Sequence, residues 1–274
     1  MVNSMRAALF YADILGFAEL AIRPRARGAL EQLSDVAHLL STEDSLAKYL
    51  QRPVWRRRYG LSDSIFLVGD DVIEASAAAA AFFFNLAFYN ATLNLPTLMR
   101  GAITFGEVRQ TRGIFPETGK ENVVGEAVVR AVQLERSGAK GPRLLISPEV
   151  AHALKKSKLN SLLDTPRKGV CELLWLLPPE ISLTGGLLMG DVVDAALRLA
   201  LNPTAGREAA PHYVAYLDLA IRSLLRLKRY SPEAAAVALK KESIEKHRDR
   251  LDRVLDRLEG DGQSTRQALA RLLK

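Results

Sequence analysis

Cysteine is almost missing from this chain: Cys171 is the only one in 274 residues. A lone thiol forms no internal disulfide, which excludes a disulfide-stapled framework and a cysteine-based zinc centre. The four histidines, His38, His152, His212 and His247, share no ligand spacing, so a histidine metal centre is not expected. Ser64 and Ser147 have no neighbouring His–Asp arrangement, which removes serine-hydrolase chemistry. Aromatic residues make up only 7% of the chain. None are interleaved with basic residues in the manner of a single-strand nucleic-acid face. The most apolar run, 75–89, falls short of the roughly 20 residues that span a bilayer, and it reads as a buried helix. Residues 1–11 carry Asn3, Ser4 and Arg6 and no secretory pattern. A cytoplasmic protein with no direct membrane insertion is the expectation.

What is present in quantity is apolar and basic. A hydrophobic share of 48% supports a packed core and excludes a mainly disordered chain. Lys and Arg outnumber Asp and Glu by 38 to 31, a net charge of +7 that suits anionic partners, from nucleic acid to a small polyphosphate. The basic residues are scattered, with Arg56-Arg57-Arg58 the densest run, so nucleic acid is not expected as a partner.

Periodicity then orders the elements. Residues 6–13 predict a strand, and 27–50 a helix with Leu30, Leu33, Val36, Ala37 and Leu40 on one face. Residues 55–59 and 64–68 predict a hairpin around Gly60-Leu61-Ser62-Asp63, followed by an Ala- and Phe-rich helix to about 94. A strand over 98–108, a polar loop over 109–121 and a helix over 123–137 come next. Strand 143–146, helix 148–156 and strand 169–176 complete an α/β alternation, with Pro178-Pro179 and Gly185-Gly186 punctuating its exit. Beyond this point only helices are expected, at 190–201, 208–229, 232–258 and 263–273. Leu251, Val254, Leu255 and Leu258 form an apolar stripe among mixed charges, suited to packing or dimerisation. The expected organisation is a catalytic domain over 1–178 and a helical region over 185–274.

Asp13 closes the first strand and Asp63 lies at the next turn. Two carboxylates at the tips of adjacent strands can hold a pair of divalent cations, a geometry suited to in-line attack at phosphorus. Gly16 lets backbone approach a phosphate closely. Each Asp alone reads equally well as a turn cap. Together, however, they fall in a series: Tyr11-Ala12-Asp13-Ile14-Leu15-Gly16-Phe17 resembles the Phe-x-Asp-Ile-x-Gly-Phe opening of the class III nucleotide cyclases. Tyr59-Gly60-Leu61-Ser62-Asp63-Ser64 is similar to that family's second metal-binding turn, with Ser62 where Gly is usual. The run Arg100–Val108 resembles the family's Arg-x-Gly-Ile-x-x-Gly-Glu-Val strand. Gly125 opening a helix and Leu144-Leu145-Ile146-Ser147 follow in order, so the resemblance spans about 6–177.

The resemblance implies an α+β fold: a ferredoxin-like βαββαβ cyclase domain with an α-helical C-terminal extension. It implies a homodimer with active sites at the subunit interface. Asp13, Asp63 and the carbonyl of Ile14 would hold two Mg²⁺ or Mn²⁺ ions, and Gly16 and Phe17 would line the triphosphate. At the base-reading positions, where adenylate cyclases typically place Lys and guanylate cyclases Glu, this chain has Tyr59. Where adenylate cyclases often have Asp it has Asn122, whose amide can serve uracil or cytosine. Tyr59 also reads as an ordinary strand aromatic and Asn122 as a helix cap.

This pattern resembles the bacterial pyrimidine cyclases of the Pycsar anti-phage systems. It implies UTP (or CTP) as substrate, cyclic UMP or cyclic CMP as product, and a separate receptor effector reached through that product. A purine cyclase, or a degenerate domain that only binds nucleotide, remain as alternatives. The family's Asn and transition-state Arg are replaced by Val129 and Gln133, so Arg130, one turn earlier, is the candidate substitute. Arg100 and Lys168 are further candidates for the phosphates. Cys171 reads as inert core.

Overall fold

β1 (Ser4–Ile14) is apolar at nearly every position from Ala7 to Ala12, and it is buried on both faces. Ala7, Leu9 and Tyr11 face one layer, while Phe10 on the other face stacks on Trp55 at 5.8 Å and meets Phe82 edge-on at 6.2 Å. Such two-sided burial marks the centre of a sheet.

The computed structural model describes residues 4–17, 26–42, 53–91, 97–112, 121–137, 140–167, 169–177, 183–201, 209–238 and 267. After β1 come α1 (Ala26–Thr42), β2 (Trp55–Leu61), β3 (Ser64–Gly69), α2 (Val72–Tyr89) and β4 (Met99–Arg112). These strands lie in the order β2-β3-β1-β4, each antiparallel to its neighbour. That is the split βαβ arrangement of a ferredoxin-like βαββαβ core. β5 (Glu121–Val124) pairs back onto the far end of β4. α3 (Glu126–Glu135), β6 (Leu144–Ile146), α4 (Pro148–Lys155), a 3₁₀ turn (Lys158–Leu162), β7 (Leu163–Arg167) and β8 (Val170–Leu173) follow. β6 runs parallel to β4, and β8 and β7 extend the sheet antiparallel. The fold class is α+β.

α3 lays Ala127 and Ala131 on the Ala7–Leu9–Tyr11 face, with Thr104 Oγ1 donating to the Ala127 carbonyl at 2.8 Å. Two glycines permit close backbone approaches, Gly101 where β4 lies against β1 and Gly125 where the chain enters α3. A Cβ at Gly101 would sit 2.6 Å from the Tyr11 carbonyl oxygen, and Gly125, at φ +133°, would meet the Glu107 carbonyl at 2.4 Å.

The chain divides into two compact units. Met1–Phe82, Met99–Ala139 and Arg143–Leu173 form the first; Phe83–Leu98, Lys140–Pro142 and Leu174–Lys274 form the second. Residues 83–98 and 140–142, which the sequence reading assigned to the first region, thus group with the C-terminal helices. That unit contains α5 (Leu183–Ala200), α6 (Ala209–Tyr230) and α7 (Pro232–Ala238). Its centre is Trp175, stacked on Tyr216 at 6.0 Å and edge-on to Phe83 at 5.6 Å, with Nε1 donating to the Pro142 carbonyl at 2.7 Å. Burial pushes the Tyr216 hydroxyl far above its ordinary pKa.

Several sequence expectations change. The loop over 109–121 is in part a hairpin, since Arg109–Arg112 pairs with Glu121–Val124. Consequently α3 starts at Glu126 rather than 123, and Asn122 is a strand residue, not a helix cap. β7 was not expected, because Pro166 interrupts its pattern. α5 starts at Leu183, with Gly185 and Gly186 inside it rather than ahead of it. α2 is longer than its apolar run suggests: it is the one helix among the described residues long and apolar enough to cross a membrane, and 50% of that window is buried within the protein. The end of the 27–50 helix, the helices beyond 238 and the Leu251–Leu258 stripe lie outside the described residues.

Candidate active site

The antiparallel register decides which polar side chains meet at the end of β1. Asp13 lies opposite Ser64 on β3 and opposite Arg100 on β4. The β2–β3 hairpin has only Ser62 and Asp63 between its strands. A two-residue hairpin loop needs a positive φ, and Ser62 supplies it at +57°. This turn carries Asp63 back toward β1, where the Ile14 N–H donates to the Asp63 carbonyl at 3.1 Å. Ser64 Oγ donates to Asp13 Oδ1 at 2.6 Å, and the Tyr11 hydroxyl lies 3.3 Å from Ser64 Oγ.

Burial raises the Asp13 carboxyl above its ordinary pKa, opposed by the Ser64 hydrogen bond and assisted by the neighbouring charges of Asp63 and Glu135. Arg100 acts in the opposite direction but is engaged elsewhere: its guanidinium pairs with Glu135, whose side chain is 2% exposed. Glu135 follows Ala127 and Ala131 at four-residue spacing, so it stands on the buried stripe of α3 and needs a cation there. Burial likewise raises the Tyr11 hydroxyl.

The end of β1 therefore gathers Asp13, Asp63, Ile14 and Arg100 from the expected set. Gly16, at φ +76° with open space around it, and half-buried Phe17 follow at once along the chain. Tyr59 lies in β2 opposite Phe66, half-buried against the core cluster that includes Tyr11. Asn122 is exposed in β5 opposite Thr111, and its neighbour Val123 packs on the same cluster as Tyr59. β5 also touches β2, so the strands carrying Tyr59 and Asn122 adjoin.

Arg130 is not drawn into this group. It is a surface residue of α3, paired with Glu126 at 2.7 Å and with Glu149 at 3.2 Å. Val129 is 55% exposed and Gln133 is exposed beside it. Lys168 lies outside the described residues. The sequence reading missed Ser64, Tyr11 and Glu135 as parts of the group. A charged residue continuing the Ala127–Ala131 spacing was the one signal for Glu135, and pairing 13 with 64 across the hairpin was the signal for Ser64.

Asp13, Asp63 and the Ile14 carbonyl offer hard oxygen donors, the kind that Mg²⁺ and Mn²⁺ prefer. Among the described residues no group of three or more His, Cys, Asp or Glu side chains could hold a metal. A cation here would have to complete its shell with backbone, water or ligand oxygens. The donor set fits such an ion, because an Asp destabilised by burial and by two neighbouring carboxylates gains from a nearby positive charge.

The architecture places the chain among α+β proteins with a ferredoxin-like core. No family model and no curated protein matches it. Solved structures similar to it include the adenylyl cyclase CyaB of P. aeruginosa, at 17% identity and TM-score 0.46, covering 63% of this chain and 95% of that one. A guanylyl cyclase domain of the RhoGC fusion protein of Blastocladiella emersonii is similar at 15% identity and TM-score 0.49, covering 62% and 94%. The guanylate cyclase domain of RhGC from Catenaria anguillulae, in complex with GTP, is similar at 17% identity and TM-score 0.47, covering 62% and 95%.

Proposed function

We propose that this chain is a divalent-metal-dependent nucleotide cyclase of the class III type, acting as a homodimer on a pyrimidine triphosphate, UTP ahead of CTP. The observation that carries the reading is the meeting of Asp13 and Asp63 at the end of β1, with Tyr59 on the adjoining hairpin strand. The supporting sequence series, from Tyr11–Phe17 to Leu144–Ser147, lies in order along the same sheet.

Asp13, Asp63 and the Ile14 carbonyl would hold two Mg²⁺ or Mn²⁺ ions in this reading. When bound, the ions supply Lewis-acid activation of the ribose 3′-hydroxyl and charge neutralisation on the triphosphate. The chain's own part is orientation and charge. Gly16 leaves its backbone open to a phosphate, since no atom of the described residues stands within 4 Å of where a Cβ would be. In this reading Tyr59 would fill the volume that the second ring of a purine needs, and the Asn122 amide could donate or accept toward a one-ring base. The 3′-hydroxyl would give its proton to solvent and attack the α-phosphorus, the bond to the β,γ-diphosphate would break, and cyclic nucleotide and pyrophosphate would leave. The cyclic UMP or CMP is then a signal for a separate receptor effector, in an anti-phage role, and the helical second unit supports the dimer.

Incubation with equimolar ATP, GTP, CTP and UTP and Mn²⁺, followed by mass spectrometry, tests this. A cyclic pyrimidine peak with released pyrophosphate is expected, and Asp13→Ala abolishes it. A cyclic purine keeps the cyclase and removes the role given to Tyr59. One observation favours a second reading, a domain that binds nucleotide without turnover: Val129 and Gln133 are exposed, and Arg130 is held by two glutamates. Nucleotide binding by calorimetry with no cyclic product under any metal decides for it.

A further inference from the structure

The hydrogen-bond chain behind Asp13 has a direction that elementary chemistry fixes. Ser64 has a single hydroxyl proton, and it is given to Asp13 Oδ1 at 2.6 Å. At the Tyr11–Ser64 contact of 3.3 Å, Ser64 can then only accept, so Tyr11 donates. The chain runs Tyr11 Oη–H to Ser64 Oγ–H to Asp13 Oδ1. Both ends are anchored. Tyr11 is 5% exposed and its ring packs on Phe66 at 4.8 Å. Ser64 is the register partner of Asp13 in the β1–β3 ladder. Among the described residues Oδ1 of Asp13 has this hydrogen bond and Oδ2 has none. The Phe of the cyclase opening motif could not build such a chain; Tyr11 adds the hydroxyl that completes it.

We propose that Tyr11 and Ser64 are positioning residues that commit Oδ1 of Asp13 to the protein and leave Oδ2 for a divalent cation, a proposal that rests on the metal-dependent reading above. Without the Ser64 hydroxyl the carboxylate is free to rotate about its Cβ–Cγ bond, and each rotamer that points neither oxygen at the cation lowers affinity. Tyr11 acts only through Ser64, by holding that hydroxyl on the side of Asp13. Outer partners of metal ligands are typically worth about 10–100-fold in metal affinity.

The test is Mn²⁺ binding to the full chain without nucleotide, read by electron paramagnetic resonance of the free ion, with thermal melts as the folding control. Ser64→Ala should weaken binding about tenfold or more, Tyr11→Phe by a smaller factor, and Ser64→Thr should restore the parent affinity. The double variant Tyr11→Phe/Ser64→Ala should bind as Ser64→Ala does, because nothing is left for Tyr11 to hold. Parent-like binding by Ser64→Ala overturns the proposal. So does a double variant weakened by the full product of the two single effects. Should Ser64→Ala fail to fold, Tyr11→Phe decides, with parent-like affinity counting against the proposal. If Asp13→Asn binds Mn²⁺ as the parent does, the metal site itself is misassigned and the whole reading falls. If Asp13→Asn loses binding while Ser64→Ala keeps it, only the positioning role falls.

Discussion

Two arginine–glutamate pairs brace the same sheet, and they do different things. Arg143 meets Glu172 through both carboxylate oxygens, at 2.9 and 3.2 Å, tying the approach to β6 onto β8. Their side chains are 8% and 0% exposed. Arg100 meets Glu135 between β4 and α3, with side chains 18% and 2% exposed. The first pair joins the approach to β6 with β8, away from the end of β1. The second stands beside Asp13, where both partners enter that residue's electrostatics with opposite signs. The same chemistry braces the sheet in one place and sets the field around Asp13 in the other.

Breaking the first pair has the largest expected effect on stability. Glu172→Ala leaves the Arg143 guanidinium buried without its carboxylate, a defect of about 3–5 kcal/mol, which chemical denaturation reads directly. Its effect on metal affinity at Asp13 should be nil.

Glu135→Ala should cost less, about 1–3 kcal/mol, because Arg100 reaches water more readily. It should also do what Glu172→Ala does not: lower the Asp13 pKa, since Glu135 raises it. Carboxyl-carbon NMR titration measures that shift. The sign for stability follows from the raised value. Asp13 contributes stability that is fully present below its unfolded pKa, near 3.8, and is lost as pH rises through the higher folded value. Relative to Asp13→Asn, the parent protein should therefore lose stability across that window, and the loss should narrow when Glu135 is absent. An unchanged Asp13 titration in Glu135→Ala would erase the distinction between the two pairs.

Smaller effects sharpen it. Ser62 holds φ +57° at the turn bearing Asp63, a conformation that costs a non-glycine residue roughly 1 kcal/mol or more. Ser62→Gly relieves it but loosens the unfolded chain, so a gain below about 1 kcal/mol in denaturant midpoint is expected. Arg130→Ala breaks two exposed pairs and should change stability by no more than about 1 kcal/mol. Should the proposed cyclase activity be found, a large loss of it in that variant would restore Arg130 to the site.

The same contrast explains what could be read from the chain. Asp13 and Asp63 were legible because strand ends and tight turns have local signatures, and the hairpin around Ser62 follows from the two apolar runs beside it. The βαββαβ order of the core came through the resemblance of the motif series, whereas periodicity alone places the strands along the chain without ordering them in the sheet. Glu135, Ser64 and Tyr11 were not read as partners, because register across β1–β3 and the seating of α3 are fixed only when distant segments pack. β7 and β5 escaped for local reasons: Pro166 breaks one pattern, and four residues are too few to establish a period in the other. The start of α5 was misjudged because Gly185 and Gly186 stop a helix by propensity alone, a preference that tertiary packing overrides.

One helix carries a practical message for anyone who would cut or splice this chain. α2 begins in one unit and ends in the other, the division falling between Phe82 and Phe83. A protein truncated after residue 178 would keep Phe83–Leu98 yet discard α5 to α7, including Arg198, which donates to the Ala91 carbonyl, and Tyr216, which stacks on Trp175. The first unit is therefore not a cassette that a single cut releases, because the second unit takes the end of α2 and residues 140–142 from within its span.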